Sequence, residues 1–262
     1  MAQAGDRSPA AKLGLLDATM VGMGAMIGAG IFVLTGLAAG IAGPAALLVF
    51  ALNGVVTAFT GVSYAELASA IPKSGGGYVF VREVFSGPTS FLMGWMLAFA
   101  YMIAGALYAL GFSSNFVEFV HLYWAGLPTG PVWHIVYALV VVGLFALLNA
   151  VSTEASGGAE TVITIIKIII LLVFAGFGAF AVEGGNFEPF FTGDRASVSL
   201  LQAMGLTFIA FEGYDLIATV TEEVENPREN IPKAIFISLV ATVAIYLVVV
   251  WVAIGTLGAD KL

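Results

Sequence analysis

Ile27-Gly28-Ala29-Gly30-Ile31 lies in the middle of an apolar stretch running from about Leu15 to Ala39. A membrane-crossing helix needs about 20 apolar residues, so the stretch is long enough to span. Glycine at mid-depth is unexpected there, because a backbone group left unpaired in hydrocarbon costs several kcal/mol. Such an interruption is tolerated where it lines a cavity. Secondary transporters use discontinuous helices at the midplane to offer N–H and C=O groups to a substrate. The competing reading is close helix packing, since Gly24 and Gly28 form a GxxxG pattern. The first span alone leaves the two readings level.

The rest of the chain settles the class. Of 262 residues, 60% are apolar and 10% charged, with a mean hydropathy of +1.02. A soluble domain of this length does not carry that composition on its surface, so the chain reads as an all-α polytopic membrane protein. Apolar windows give about seven spans, near residues 15–39, 44–66, 88–117, 132–150, 158–181, 198–220 and 234–258. The alternating-polarity strands of an outer-membrane barrel are absent. Met1–Lys12 is polar and leads directly into a full-length span without a short apolar core and cleavage site, so the first span is expected to stay attached. Residues 1–14 read as a cytoplasmic N-terminal segment and 15–262 as a single transmembrane domain.

Charge sets the expected orientation. Arg7, Lys12, Lys73, Arg82, Arg228 and Lys233 all fall on one side if the spans alternate, and Arg195 and Lys261 on the other. The positive-inside rule makes the first side cytoplasmic, giving a multi-pass protein of the plasma membrane with its N-terminus inside. A net charge of −8 gives no support for nucleic-acid binding. The chain has no cysteine, which removes disulfides, thiol catalysis and thiolate metal sites. His121 and His134 have no further ligands at metal spacing, and no serine, histidine and carboxylate set shares a depth. No metal, cofactor or enzyme activity is expected.

Ile71-Pro72-Lys73-Ser74-Gly75-Gly76-Gly77-Tyr78 joins a helix breaker to a glycine run, and reads as a cytoplasmic turn followed by a short interfacial helix. Val151–Gly158 reads as a short cytoplasmic loop and Asn186–Ser199 as an external one. The sixth span repeats the oddity of the first: Phe208-Ile209-Ala210-Phe211-Glu212-Gly213-Tyr214-Asp215 puts two carboxylates and a glycine near mid-membrane. A charge at that depth costs above ~2.5 kcal/mol on insertion scales, so it marks a functional site by default. Asp215 reads first as a gating, capping or helix-pairing group, because broken helices need their freed N–H groups satisfied. Glu212 is open between a structural and a substrate-binding role.

Breaks in the first and sixth spans, entered from opposite sides, are what an inverted repeat of five helices predicts. Their half-helix ends would converge at one midplane site, with N-terminal N–H groups suited to a carboxylate and exposed carbonyls to an ammonium. The ligand of that pairing is a zwitterion.

Gly24–Phe32, Phe211–Thr219, Glu222–Arg228 with Ile231–Ile235, and the Ile71–Tyr78 loop together resemble the amino acid–polyamine–organocation (APC) transporter superfamily. The motif style is closest to cationic amino acid transporter-like and proton-coupled prokaryotic members. The resemblance implies a LeuT-type inverted-repeat bundle and amino acid transport by alternating access. On it, the backbone amides of Gly28, Ala29 and Gly30 hold the substrate carboxylate, and carbonyls near Ile27, Phe208 and Phe211 hold the amine. Glu212 joins the substrate-binding set, and Gly213 and Asp215 the gating or helix-break set. Family members continue beyond a seventh span, so the chain reads as the N-terminal portion of the bundle. A second chain supplying the missing helices, or self-association, is then an expected partner.

Lys167 lies within the apolar run Val162–Phe174 of the fifth span, where an unpaired ammonium is costly. Snorkelling to the cytoplasmic interface is one reading. Relatives with a lysine at the matching position are thought to be proton-coupled, which implies Lys167 as the coupling group and protons as partners. The same superfamily's cationic-substrate members often carry a glutamate where Ala100 stands. Glu212 would restore a cation preference by facing the side-chain pocket. The leading expectation is a proton-coupled secondary amino acid transporter. The alternatives are an ion-independent exchanger, and a chain that binds amino acid without transporting it.

Overall fold

The structure, a computed structural model, describes residues 13–28, 30–124, 126, 128–151, 154–191 and 196–262. The described part of the chain is mainly helical, its one β-type contact being an isolated parallel bridge between Leu13 and Val224. The helices are α1 (Leu15–Met26), α2 (Gly30–Ala42), α3 (Ala46–Ala70), α4 (Gly76–Val84), α5 (Gly87–His121), α6 (Pro131–Val151), α7 (Glu154–Gly178), α8 (Ala196–Thr207) and α9 (Pro227–Leu257). Residues 1–12 of the expected N-terminal segment lie outside the described residues.

By length and composition five stretches can cross a membrane: Leu15–Ala70, Gly87–His121, Glu160–Ala181, Ala196–Glu223 and Pro227–Leu257. The first has 56 residues. As one straight helix it would measure about 84 Å against a hydrocarbon core of about 30 Å. It holds two spans, α1–α2 and α3, separated by a 3₁₀ turn at Gly43–Ala45. A shorter apolar stretch, Pro131–Leu147, lies within α6. The expected loop at Val151–Gly158 is shorter than read: α6 runs to Val151 and α7 begins at Glu154. The interfacial helix after the glycine run is α4.

Both expected breaks are present, and they differ in kind. The first span stops at Met26, leaves helical geometry at Ile27 (φ −76, ψ 56) and resumes at Gly30. In the sixth span α8 gives way to a 3₁₀ turn over Phe208–Phe211, an extended Glu212, and ten residues of 3₁₀ helix over Tyr214–Glu223 with a kink at Val220. The kink divides it into shorter 3₁₀ pieces, and a stretch of 3₁₀ within a span marks strain or a hinge. Gly213 sits at φ +133, a conformation that L side chains avoid, so the corner needs glycine.

α9 is the central post. It packs against α1, α3, α7 and the Tyr214–Glu223 segment. Gly54 and Gly61 on α3 leave room for Val243 and Leu239 of α9, which brings these two helices close in the way small residues allow in membranes. Around the breaks the core is made of Ile27, Ile31, Phe50, Phe211, Tyr246 and Ile254, all essentially inaccessible. A second cluster below it joins Met26, Phe80, Tyr214, Ile217 and Ile231, tying α4 to the segment after the sixth-span break. Buried Asn53 on α3 donates to the Met204 carbonyl and Thr207 Oγ1, fixing α3 to the end of α8.

Candidate functional site

A break in a helix creates a debt of unpaired carbonyls, and the site is built from the groups that meet it. In an unbroken helix the Gly24 carbonyl would accept from the Gly28 N–H. Here Gly28 N–H donates instead to the Met26 carbonyl at 2.8 Å. Lys167 Nζ takes the vacated place, donating to the carbonyls of Gly24 and Ile27, each at 2.8 Å. Two charge-assisted bonds of this kind contribute about 1.5–3 kcal/mol each. They explain how an ammonium is held in an apolar span.

Tyr246, fully buried on α9, completes the repair. Its hydroxyl reaches the Met26 carbonyl at 2.5 Å and the Ala210 carbonyl at 3.0 Å. A hydroxyl carries one proton, so these two acceptors share it. Met26 ends α1 and Ala210 lies in the 3₁₀ turn that ends α8, so one side chain fastens both breaks. They touch directly elsewhere: a methyl built on Gly30 would stand 2.9 Å from Ala210 Cβ, and one on Gly213 would stand 2.7 Å from the Met26 backbone nitrogen.

On the other face of the breaks lies a cavity of about 780 Å³, bounded by α1, α2, α5, α6, α7 and the Glu212–Leu216 corner. Most of its wall is apolar, with Phe32, Ala104, Phe112 and Phe145 among the residues that form it. Its polar groups converge from four elements: Tyr101, Tyr108 and Asn115 on α5, Glu160 and Lys167 on α7, Glu212 at the corner, and the backbone at Gly28. A concave, mainly apolar space with a few convergent polar groups is the usual form of a small-molecule site. Tyr108 stands directly over the first break, its ring 3.0–3.3 Å from where a Gly28 Cβ would be.

Of the residues singled out from sequence, Ile27, Gly28, Lys167, Glu212 and Gly213 all border this cavity. Gly30 is buried at the start of α2, where the first amides of a helix have no partner within it. Ala29 lies outside the described residues. Phe211 turns its ring into the core against Phe50 and Tyr246, at centroid distances of 5.8 and 5.3 Å. Neither it nor Phe208 borders the cavity. Phe211 meets the site only through the peptide that joins it to Glu212. Asp215 lies beside the cavity wall: its Oδ1 accepts from the Gly213 N–H at 3.0 Å and its Oδ2 from the Tyr101 hydroxyl at 2.6 Å. It therefore caps the segment after the break and pins it to α5. Glu160, Tyr101, Tyr108 and Tyr246 were not singled out from sequence. Glu160 lies seven residues before Lys167 on the same helix, a spacing that shares a face and could have marked it.

On the side of the bundle where α4 lies, the two broken spans are tied a second time. Leu13 N–H donates to the Glu223 carbonyl at 2.8 Å and Glu225 N–H to the Leu13 carbonyl at 2.9 Å. Ser74 Oγ, in the glycine-run loop, accepts from Glu222 N–H at 3.0 Å. Lys73 pairs with Glu83 at the start and end of the same loop and helix.

Comparison with known proteins agrees with this architecture. A family profile described as amino acid permease matches residues 13–262. A branched-chain amino acid permease, BcaP, of Bacillus subtilis is 31% identical over 98% of this chain and 57% of its own length. A methylthioribose transporter of the same organism is 33% identical over 100% of this chain and 58% of its own. The chloroplastic cationic amino acid transporter 9 of Arabidopsis thaliana is 31% identical over 93% of this chain and 45% of its own. The chain thus spans about half the length of the curated relatives it matches.

Proposed function

The chain belongs to the amino acid permease family, and on that premise we propose that it serves proton-coupled amino acid transport by alternating access, in a plasma membrane and with its N-terminus in the cytoplasm. It acts as a carrier and not as an enzyme. The observation that carries the reading is the pair of bonds from Lys167 to the Gly24 and Ile27 carbonyls. While protonated, Lys167 holds the broken end of α1 in place. Once it loses its proton it keeps donors but loses the charge that makes these bonds strong, so the break is free to move.

The substrate lies in the cavity between the two breaks. Its carboxylate meets the first-turn amides that open α2 at Gly30, where the helix dipole favours an anion. Its ammonium meets the carbonyl edge of the first break at Ile27 and, across the cavity, the peptide that joins Phe211 to Glu212, together with the Glu212 carboxylate. Asp215 and Gly213 form the hinge that the sixth span turns on. The Glu212 carboxylate, bordering a mainly apolar cavity, also gives the site a preference for a cationic side chain.

The test is accumulation of a radiolabelled amino acid mixture by proteoliposomes, with and without an inward proton gradient. Accumulation above the gradient-free level is expected. Counterflow equal at every pH, with no accumulation, would assign the chain to exchange instead.

A further inference from the structure

The face of α7 that carries Lys167 holds a second ionisable group and an unexplained hydroxyl. Glu160, Thr164 and Lys167 follow one another at spacings of four and three, so they form a single column on one side of the helix. All three point at α1. Gly24 is where they meet: its carbonyl accepts from Lys167 Nζ, and a methyl built on its Cα would collide with Thr164 Oγ1 and stand 3.7 Å from Glu160 Oε1. Thr164 is 1% exposed, yet its hydroxyl bonds to nothing among the described residues. A buried hydroxyl without a partner is unfavourable by about 1–3 kcal/mol, so its persistence asks for a role. Valine would fill the same space without that penalty.

We propose that Thr164 and Glu160 form the exit relay for the coupling proton. The inference rests on the reading of Lys167 as the coupling group. When α1 moves, Lys167 leaves the Gly24 carbonyl and the Thr164 hydroxyl is freed from the Gly24 contact. The ammonium of Lys167 then passes a proton to Thr164 Oγ as that hydroxyl passes its own to Glu160. The products are a neutral amine, an unchanged hydroxyl and a neutral carboxylic acid, so net charge in the column is conserved. Glu160 borders the cavity nearer the N-terminal end of α7 and releases the proton to water there. In the state described here the hydroxyl bonds neither neighbour, so the relay is open and the proton stays on Lys167. Substrate release and proton release are thereby tied to the same movement of α1.

Other groups that could take the proton are already accounted for. Tyr101 is bonded to Asp215, and Tyr246 to the two break carbonyls. Asp17 on α1 accepts from the Gly14 N–H. Tyr108 and Glu212 border the cavity from α5 and the sixth-span corner, not from the α7 column.

The experiment uses right-side-out membrane vesicles from cells expressing the protein from its own gene, with pyranine trapped inside to report lumenal pH. The probe is a radiolabelled mixture of the protein amino acids. Glu160→Gln and Thr164→Val are each expected to lower gradient-driven uptake and the accompanying proton entry at least tenfold, a positioned proton-transfer group being worth ~10²-fold or more. Gradient-free counterflow of Thr164→Val, a residue that does not border the cavity, is expected to stay within about twofold of the parent, and Thr164→Ser to restore proton entry, because it restores the relay hydroxyl. Parent-like proton entry in both Glu160→Gln and Thr164→Val overturns the relay while leaving Lys167 untouched. A loss of counterflow in Thr164→Val equal to its loss of proton entry also overturns it, since that is a structural defect. A parent with no gradient-driven uptake overturns the Lys167 reading, and the relay with it.

Discussion

Lys167 Nζ stands 2.8 Å from the carbonyl oxygen of Ile27, the residue at which the first span stops being helical. A side chain from another span thus stabilises a backbone discontinuity that hydrocarbon alone would not tolerate. Tyr246 does the same from α9, and Asp215 does it within the sixth span. The breaks are therefore held by three removable side chains, and each removal has its own signature.

Tyr246→Phe keeps the edge-on ring packing against Phe50 and Phe211 but deletes the hydroxyl that serves Met26 and Ala210. Leaving buried carbonyls short of a donor costs about 1–3 kcal/mol. Thermal unfolding of the detergent-solubilised protein should move down by several degrees with little loss of expression. An unchanged midpoint would show that the hydroxyl does not hold the breaks together.

Asp215→Ala removes the acceptor of both the Gly213 N–H and the Tyr101 hydroxyl. Asp215→Asn retains an acceptor for the first and weakens the second. The expected order of destabilisation is Asp215→Ala above Asp215→Asn, with Tyr101→Phe the mildest, the largest step being about 2 kcal/mol. Double-mutant coupling between Asp215 and Tyr101 should be near 1 kcal/mol or more. Strict additivity in unfolding measurements would contradict the bond.

Gly213→Ala places a methyl where φ is +133 and where the Met26 backbone nitrogen lies 2.7 Å away. Strain at such a φ alone costs about 1–3 kcal/mol, and the overlap is with backbone, which cannot swing aside. Loss of monodisperse protein on size-exclusion chromatography is expected. Gly40→Ala, with open space around it, should behave as the parent.

Much of this arrangement was legible in the chain itself, and the failures have physical causes. Hydropathy over windows of span length located the stretches able to cross a membrane, because hydrocarbon imposes length and polarity together. The glycines at 28, 30 and 213 marked the breaks, since each carries a backbone demand that a sequence exposes. Lys167 stood out because an intramembrane cation is rare. The orientation of Phe211 was not legible: a 3₁₀ turn advances 120° per residue where an α-helix advances 100°, so faces read with α periodicity drift through the break. Tyr101, Tyr108 and Tyr246 were missed for another reason. Tyrosine is ordinary in membrane helices, and what distinguishes these three is a partner on a different span. Glu160 was readable from its spacing to Lys167, seven residues on along one helix.

The decisive measurement is uptake of a radiolabelled amino acid mixture under an inward proton gradient by the parent and by Lys167→Ala, with gradient-free counterflow recorded for both. The parent should accumulate label, and the variant should lose gradient-driven accumulation while keeping measurable counterflow. Equal gradient-driven accumulation by the parent and Lys167→Ala would contradict the role assigned to the lysine at the first break.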